Sequence, residues 1–145
     1  MNFNDFQKIT AEIKSKHPIW FYLVSKNTPT DRDIKYVETT LNVTLNSDYK
    51  NFVKTYNGGY FAFVKILTVC SKDDCYILNF NSREFIEKYK LLSIADTETG
   101  DTVGFKITDG FCGNEMFIFN HETQTVENHN IGNLFDYIIK YGYNQ

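Results

Sequence analysis

Apolar side chains recur every three or four positions through the first third of the chain, then switch to alternation through most of the remainder. Phe6, Ile9 and Ile13 mark one amphipathic helix; Ile34, Val37 and Leu41 mark a second behind Thr30, with Asp33 placed for a capping-box start. Tyr49, Phe52, Val53 and Tyr56 fall at i, i+3, i+4 and i+7 on one face and predict a third helix. Ser47 is its expected N-cap, and Asn57-Gly58-Gly59 supplies residues that tolerate the positive φ of a helix end. Between the first two helices, Trp20-Phe21-Tyr22-Leu23-Val24 falls in a loop.

From residue 60 the period becomes two, which predicts strands over Tyr60 to Val69, Cys75 to Phe80, Leu91 to Ala95, Thr102 to Ile107, Glu115 to Asn120 and Thr125 to Asn130. The links are short, so the pairing is antiparallel. Met116, Phe117, Ile118 and Phe119 are apolar on both faces, as in a central strand covered on both sides, and His121-Glu122-Thr123-Gln124 reads as its hairpin turn. Helices are expected at Ser82 to Lys90 and Asn133 to Tyr141. Helices, then sheet, then helix make an α+β fold: N-terminal helices packed against a mostly antiparallel sheet of about five to six strands, with a C-terminal helix.

Composition narrows the picture. A chain of 145 residues with 42% hydrophobic content can bury one cooperative core, no repeat or linker divides it, and residues 1–145 read as a single domain. A net charge of -3 with scattered lysines argues against nucleic acid as a partner. Three cysteines, Cys70, Cys75 and Cys112, form an odd set without disulfide-scaffold density, which fits a reducing compartment. The apolar run from Pro18 to Val24 is too short to span a bilayer and no export signal opens the chain, so a cytoplasmic location and no membrane contact are expected.

Candidate chemistry is weak by comparison. Cys70, Cys75, Cys112 and His121 have the residue types of a zinc site but not its close ligand pairs, and read as packed thiols and a turn histidine. The run Asp96-Thr97-Glu98-Thr99-Gly100-Asp101 begins like a calcium loop, yet Asp101 stands where its Gly belongs and Ile107 where its bidentate Glu belongs. His121 and His129 flank the predicted hairpin without a recognisable nucleophile setting, and the glycine pairs lead into strands rather than helices, unlike phosphate loops. No catalytic residue, cofactor or metal is assigned. What is left over is aromatic: Trp20, Phe21, Tyr22, Tyr60, Phe61 and Phe63 exceed an obvious core requirement, and some of them are candidates for a protein-binding patch.

The segment from Leu41 to Gly59 resembles the signature of the SUKH superfamily, and more narrowly the branch named for the yeast glucan-synthesis regulator. Leu45, Asp48-Tyr49-Lys50, Phe52 and Tyr56-Asn57-Gly58-Gly59 carry the likeness, with Asn46 where the family often has Pro. Ile94 through Gly100-Asp101 is similar to the family's loop before a strand, and Glu115 to Tyr141 to its closing hairpin and helix. The resemblance implies an α+β domain whose bacterial members are mostly immunity proteins that bind and neutralise toxins, and whose fungal relatives are regulatory scaffolds in cell-wall synthesis. Catalysis is known for neither branch.

A non-catalytic immunity protein with a toxin domain as partner is therefore the leading expectation. A regulatory scaffold or ligand-sensing module in glucan-type cell-wall synthesis is the alternative. The expected partner-binding residues are the loop acids Asp73, Asp74, Asp96, Glu98 and Asp101, suited to a basic toxin, together with Tyr60 and Phe61. The matched motif itself reads as structural.

Overall fold

The computed structural model describes residues 1–144. Helices α1 (Phe3–Lys16), α2 (Asp31–Leu41) and α3 (Ser47–Tyr56) come first. Strands β1 (Gly59–Phe61), β2 (Val64–Ile66), β3 (Leu91–Asp96), β4 (Thr102–Thr108), β5 (Phe111–Asn120) and β6 (Thr125–Glu127) follow, with α4 (Arg83–Tyr89) between β2 and β3. The described chain closes with one helical turn, α5 (Leu134–Tyr137), which widens into π-helical Ile138–Tyr143. The six strands lie in sequence order and every neighbouring pair is antiparallel, giving the α+β fold that the periodicity predicts. No helix among the described residues is long and apolar enough to cross a membrane.

Local chemistry starts each helix. Thr30 and Asp33 form the reciprocal capping box, with Asp33 N donating to Thr30 Oγ1 at 3.2 Å and Thr30 N to Asp33 Oδ2 at 2.8 Å. The cap of α3 is Asn46 rather than Ser47: Asn46 Oδ1 accepts from Tyr49 N at 2.8 Å, while its Nδ2 donates to the Gly113 carbonyl at 2.8 Å. The residue that replaces the family's Pro thus starts the helix and ties it to β5. Tyr49, Phe52 and Val53 on the inner face of α3 are fully buried, and the Tyr49 hydroxyl donates to the Leu67 carbonyl at 2.6 Å.

The core lies between the helices and one face of the sheet, where Leu92, Phe105 and Met116 sit side by side on β3, β4 and β5. Aromatic rings dominate its centre: Phe6 lies 4.9 Å from Phe135 and 6.1 Å from Phe52, and Phe52 lies 5.0 Å from Phe61. The opposite face of the sheet is covered at one corner, where Phe85 and Tyr89 of α4 meet Phe119 at 5.0 and 4.8 Å. Phe117 and Phe119, which point to that face, are therefore only half-buried, and the expectation of a β5 covered on both sides is not met.

Three further expectations are corrected. The single strand from Tyr60 to Val69 is two strands, because Ala62 adopts φ 54° and turns the chain in a two-residue link between Phe61 and Val64. The apolar pattern runs through both arms and hides the turn. Cys75 to Phe80 is not a strand; it curls into a 3₁₀ turn at Ile77–Asn79 and touches the sheet region through one bridge from Tyr76 to Thr68. Asn81 then takes the place of a strand backbone, its side chain accepting from Ser93 N and donating to Ser93 O, both at 2.8 Å. Strand β6 stops at Glu127, before Asn130 turns the chain with φ 54°.

Candidate functional site

The end of α3 organises one surface of the molecule. Asn57 Nδ2 donates to Ser25 Oγ at 2.6 Å, to the Asn27 carbonyl at 2.9 Å and to Asp73 Oδ2 at 3.1 Å. Its Oδ1 accepts from the Thr68 hydroxyl. Ser25 and Asn27 also donate to Asp73 Oδ1, at 2.6 and 3.0 Å, so this half-buried network fastens segment 25–27 and the 71–74 loop to the helix end. Gly59, at φ 100°, allows the Leu23 carbonyl to approach where a Cβ would stand 2.6 Å from it. As a result Val24 bridges Gly59, Tyr60 N donates to the Leu23 carbonyl at 3.2 Å, and segment 23–25 lies along the outer edge of β1.

Above this frame stands an apolar ridge. After α1 the chain makes a 3₁₀ turn at Pro18–Phe21, which buries Phe21 and turns Ile19 outward at 71% exposure. Tyr22 and Leu23 follow at 65% and 71%, and Phe63 at the β1–β2 turn is 63% exposed. Trp20 ties the two parts together: its ring lies 5.1 Å from Phe63, its carbonyl accepts from Ala62 N at 3.2 Å, and the His17 imidazole stacks on it at 3.9 Å. Exposed large apolar groups gathered in this way mark interaction surfaces more often than isolated ones do.

The seven expected partner-binding residues fall in different places. Phe61 is only 1% exposed, packed against Phe52 and Tyr56, so it belongs to the core and is removed from the surface set; strand alternation turns it inward while Tyr60 faces out. Tyr60 is half-buried beside the ridge, and its hydroxyl donates to Glu98. Asp73 holds the network just described, whereas Asp74 is exposed. Asp96 pairs with Lys65 at 3.7 Å and accepts from Glu98 N at 2.9 Å. Asp101 binds His121 through both the ring Nδ1, at 2.5 Å, and the backbone N, at 2.9 Å; these bonds hold its carboxyl below the usual carboxylate range. Tyr60, Asp73, Asp74, Asp96 and Glu98 line two shallow grooves on either side of Tyr60, of about 380 and 260 Å³, and Lys65 lines both.

Ile19, Leu23 and Lys65 were not among the expected residues. The signal for the first two is the apolar run from Pro18 to Val24, which has neither a helical nor a strand period and so cannot turn all its side chains inward.

The other candidate chemistry does not assemble. Among the described residues no three of the His, Cys, Asp and Glu side chains gather as a metal-ligand group. All three thiols are buried; burial pushes Cys112 up to about 12, far from a reactive thiolate at neutral pH. His129 pairs with Glu127 at 2.9 Å, and neither it nor His121 hydrogen-bonds a hydroxyl or thiol among the described residues.

The family model described as SMI1-KNR4 cell-wall (SUKH_6) matches residues 31–138. The match takes in the Asn57 network's helix, all six strands and Phe63, while Ile19, Tyr22 and Leu23 precede it. No curated protein matches the chain.

Proposed function

The chain belongs to the SMI1-KNR4 cell-wall family of the SUKH superfamily, and we propose that it is a non-catalytic, cytoplasmic immunity protein that neutralises a toxin by docking on it. The observation that carries this reading is the exposed ridge of Ile19, Tyr22, Leu23 and Phe63, set beside a frame that Asn57 of the family motif ties together by hydrogen bonds. Inhibition by docking requires no chemistry from the inhibitor. It requires a preorganised surface, because the cost of ordering side chains is then met on folding rather than on binding. The family's immunity role, implied by the Tyr56-Asn57-Gly58-Gly59 resemblance, supplies the toxin as partner.

The family description itself favours a second reading, a regulatory scaffold in cell-wall synthesis. Affinity capture of the tagged protein from its native host, followed by co-expression of each captured toxin with this chain, separates the two. Restored growth of cells producing one captured toxin supports immunity. Recovery of several wall-synthesis enzymes and no toxin replaces it with the scaffold.

A further inference from the structure

Resting on the docking reading above, we propose that the ridge receives a cationic segment of the partner: an apolar side chain on Leu23 and Phe63, with lysine or arginine side chains entering the two grooves beside Tyr60. The grooves carry four carboxylates, Asp73, Asp74, Asp96 and Glu98, against the single ammonium of Lys65, which Asp96 already binds at 3.7 Å. Asp74 and Glu98 are the exposed members of the set. With Lys140 flanking the second groove beside Tyr141, the four carboxylates still exceed the two ammonium groups, so an incoming cation meets a net negative field next to an apolar anchor, the pairing that gives fast association and fixes orientation.

The aromatic lining suits the same ligand. The Lys65 ammonium already lies 5.9 Å from the Tyr60 ring centre, and at the far side of the second groove Lys140 lies 5.4 Å from the ring of Tyr141. Rings that accept these cations can accept a guanidinium as well. Other occupants fit less well. A two-fold contact with a second copy would set these carboxylates against their own copies, and an anionic membrane surface would be repelled by them.

The test uses a phage-displayed library of random 12-residue peptides, selected on the folded full chain at 50 mM NaCl. The most enriched peptide is then synthesised with a fluorophore and titrated by anisotropy. We expect enriched sequences with two or more Lys or Arg flanking an aliphatic or aromatic residue. Affinity should fall about tenfold between 50 and 500 mM NaCl, as the screening length shrinks from roughly 14 Å to about 4 Å. Phe63→Asp and the double variant Asp74→Lys/Glu98→Lys should each weaken binding about thirtyfold, the range of a central contact, while Glu115→Lys, exposed on β5 and lining neither groove, should change it less than about twofold. Circular dichroism confirms that each variant is folded, and Leu23→Asp replaces any that is not. Enrichment of uncharged or acidic peptides, no enrichment at all, or equal affinity for the wild-type chain and the ridge variants would overturn the proposal. Any of these outcomes removes the cationic segment and leaves toxin neutralisation to its own readout, growth rescue by the wild-type chain, which does not depend on the charge of the segment bound; failed rescue with intact cationic binding would remove the toxin and keep the surface.

Discussion

Replacing Asn57 by Ala tests the frame beneath the ridge. The side chain is 3% exposed and serves four partners: Ser25, Asn27 and Asp73 as acceptors and Thr68 as a donor. Neutral hydrogen bonds contribute about 1 kcal/mol each and those to a carboxylate somewhat more, but Ser25 and Asp73 keep their mutual bond at 2.6 Å, so the net loss is about 3 kcal/mol. Asn57 also adopts φ 67°, a region that Ala tolerates less well than Asn, which adds to the loss. With a urea m-value of about 2 kcal/mol/M, the unfolding midpoint should drop by roughly 1.5 M.

Trp20 is the sole tryptophan and lies on the ridge, so its fluorescence reports the same region, and circular dichroism checks that the transition stays two-state. Asn57→Gly separates the two contributions, because it loses the same bonds but relieves the positive φ; it should be less destabilised than Asn57→Ala. If both variants unfold within about 0.5 M of the wild type, the network does not hold the frame and the reasoning fails.

Gly104 faces the Leu92 carbonyl so closely that an added Cβ would stand 1.9 Å from it, and only a backbone shift in β3 or β4 can make room. Gly104→Ala should therefore cost at least about 3 kcal/mol by urea titration, above the usual overpacking penalty. Asp101 is held below its ordinary value of 3.8 by the His121 bonds, so its contribution is present above that value and is lost as pH falls through the depressed one. Asp101→Asn should be less stable than wild type near neutrality, and the gap should close below pH 4 in acid titrations followed by circular dichroism. Cys112 is 8% exposed and its thiol is raised to about 12, so iodoacetamide at pH 8 should alkylate it only as fast as the local structure opens, and immediately in 6 M guanidinium.

The helices were legible because one-sided burial writes a period into the chain: Tyr49, Phe52, Val53 and Tyr56 lie on one face of α3, and Thr30 with Asp33 caps α2 as read; the antiparallel pairing was legible from the short links. The β1–β2 turn was not, since Ala62 carries no turn signature and its φ of 54° sits between partners in Trp20 and Gly142 that only the tertiary fold supplies. Asn46 was missed as a cap because Ser47 and Asn46 are both good caps one residue apart.

At the candidate site, residue type pointed to loop acids and aromatics but could not separate their duties. Asp73 and Asp74 are neighbours in sequence, yet one is spent on the Asn57 network and the other is exposed. Strand alternation was available to divide Tyr60 from Phe61, but the register of so short a strand is set by segment 23–25, which lies 35 residues earlier and is held there by Gly59.

The central claim is that this domain protects by docking through the ridge, and the direct measurement is growth of cells producing the captured toxin alongside equal amounts of wild-type chain or the Leu23→Asp/Phe63→Asp variant. The wild type should restore growth and the folded variant should not. Full protection by the variant, or none by the wild type, would contradict the account.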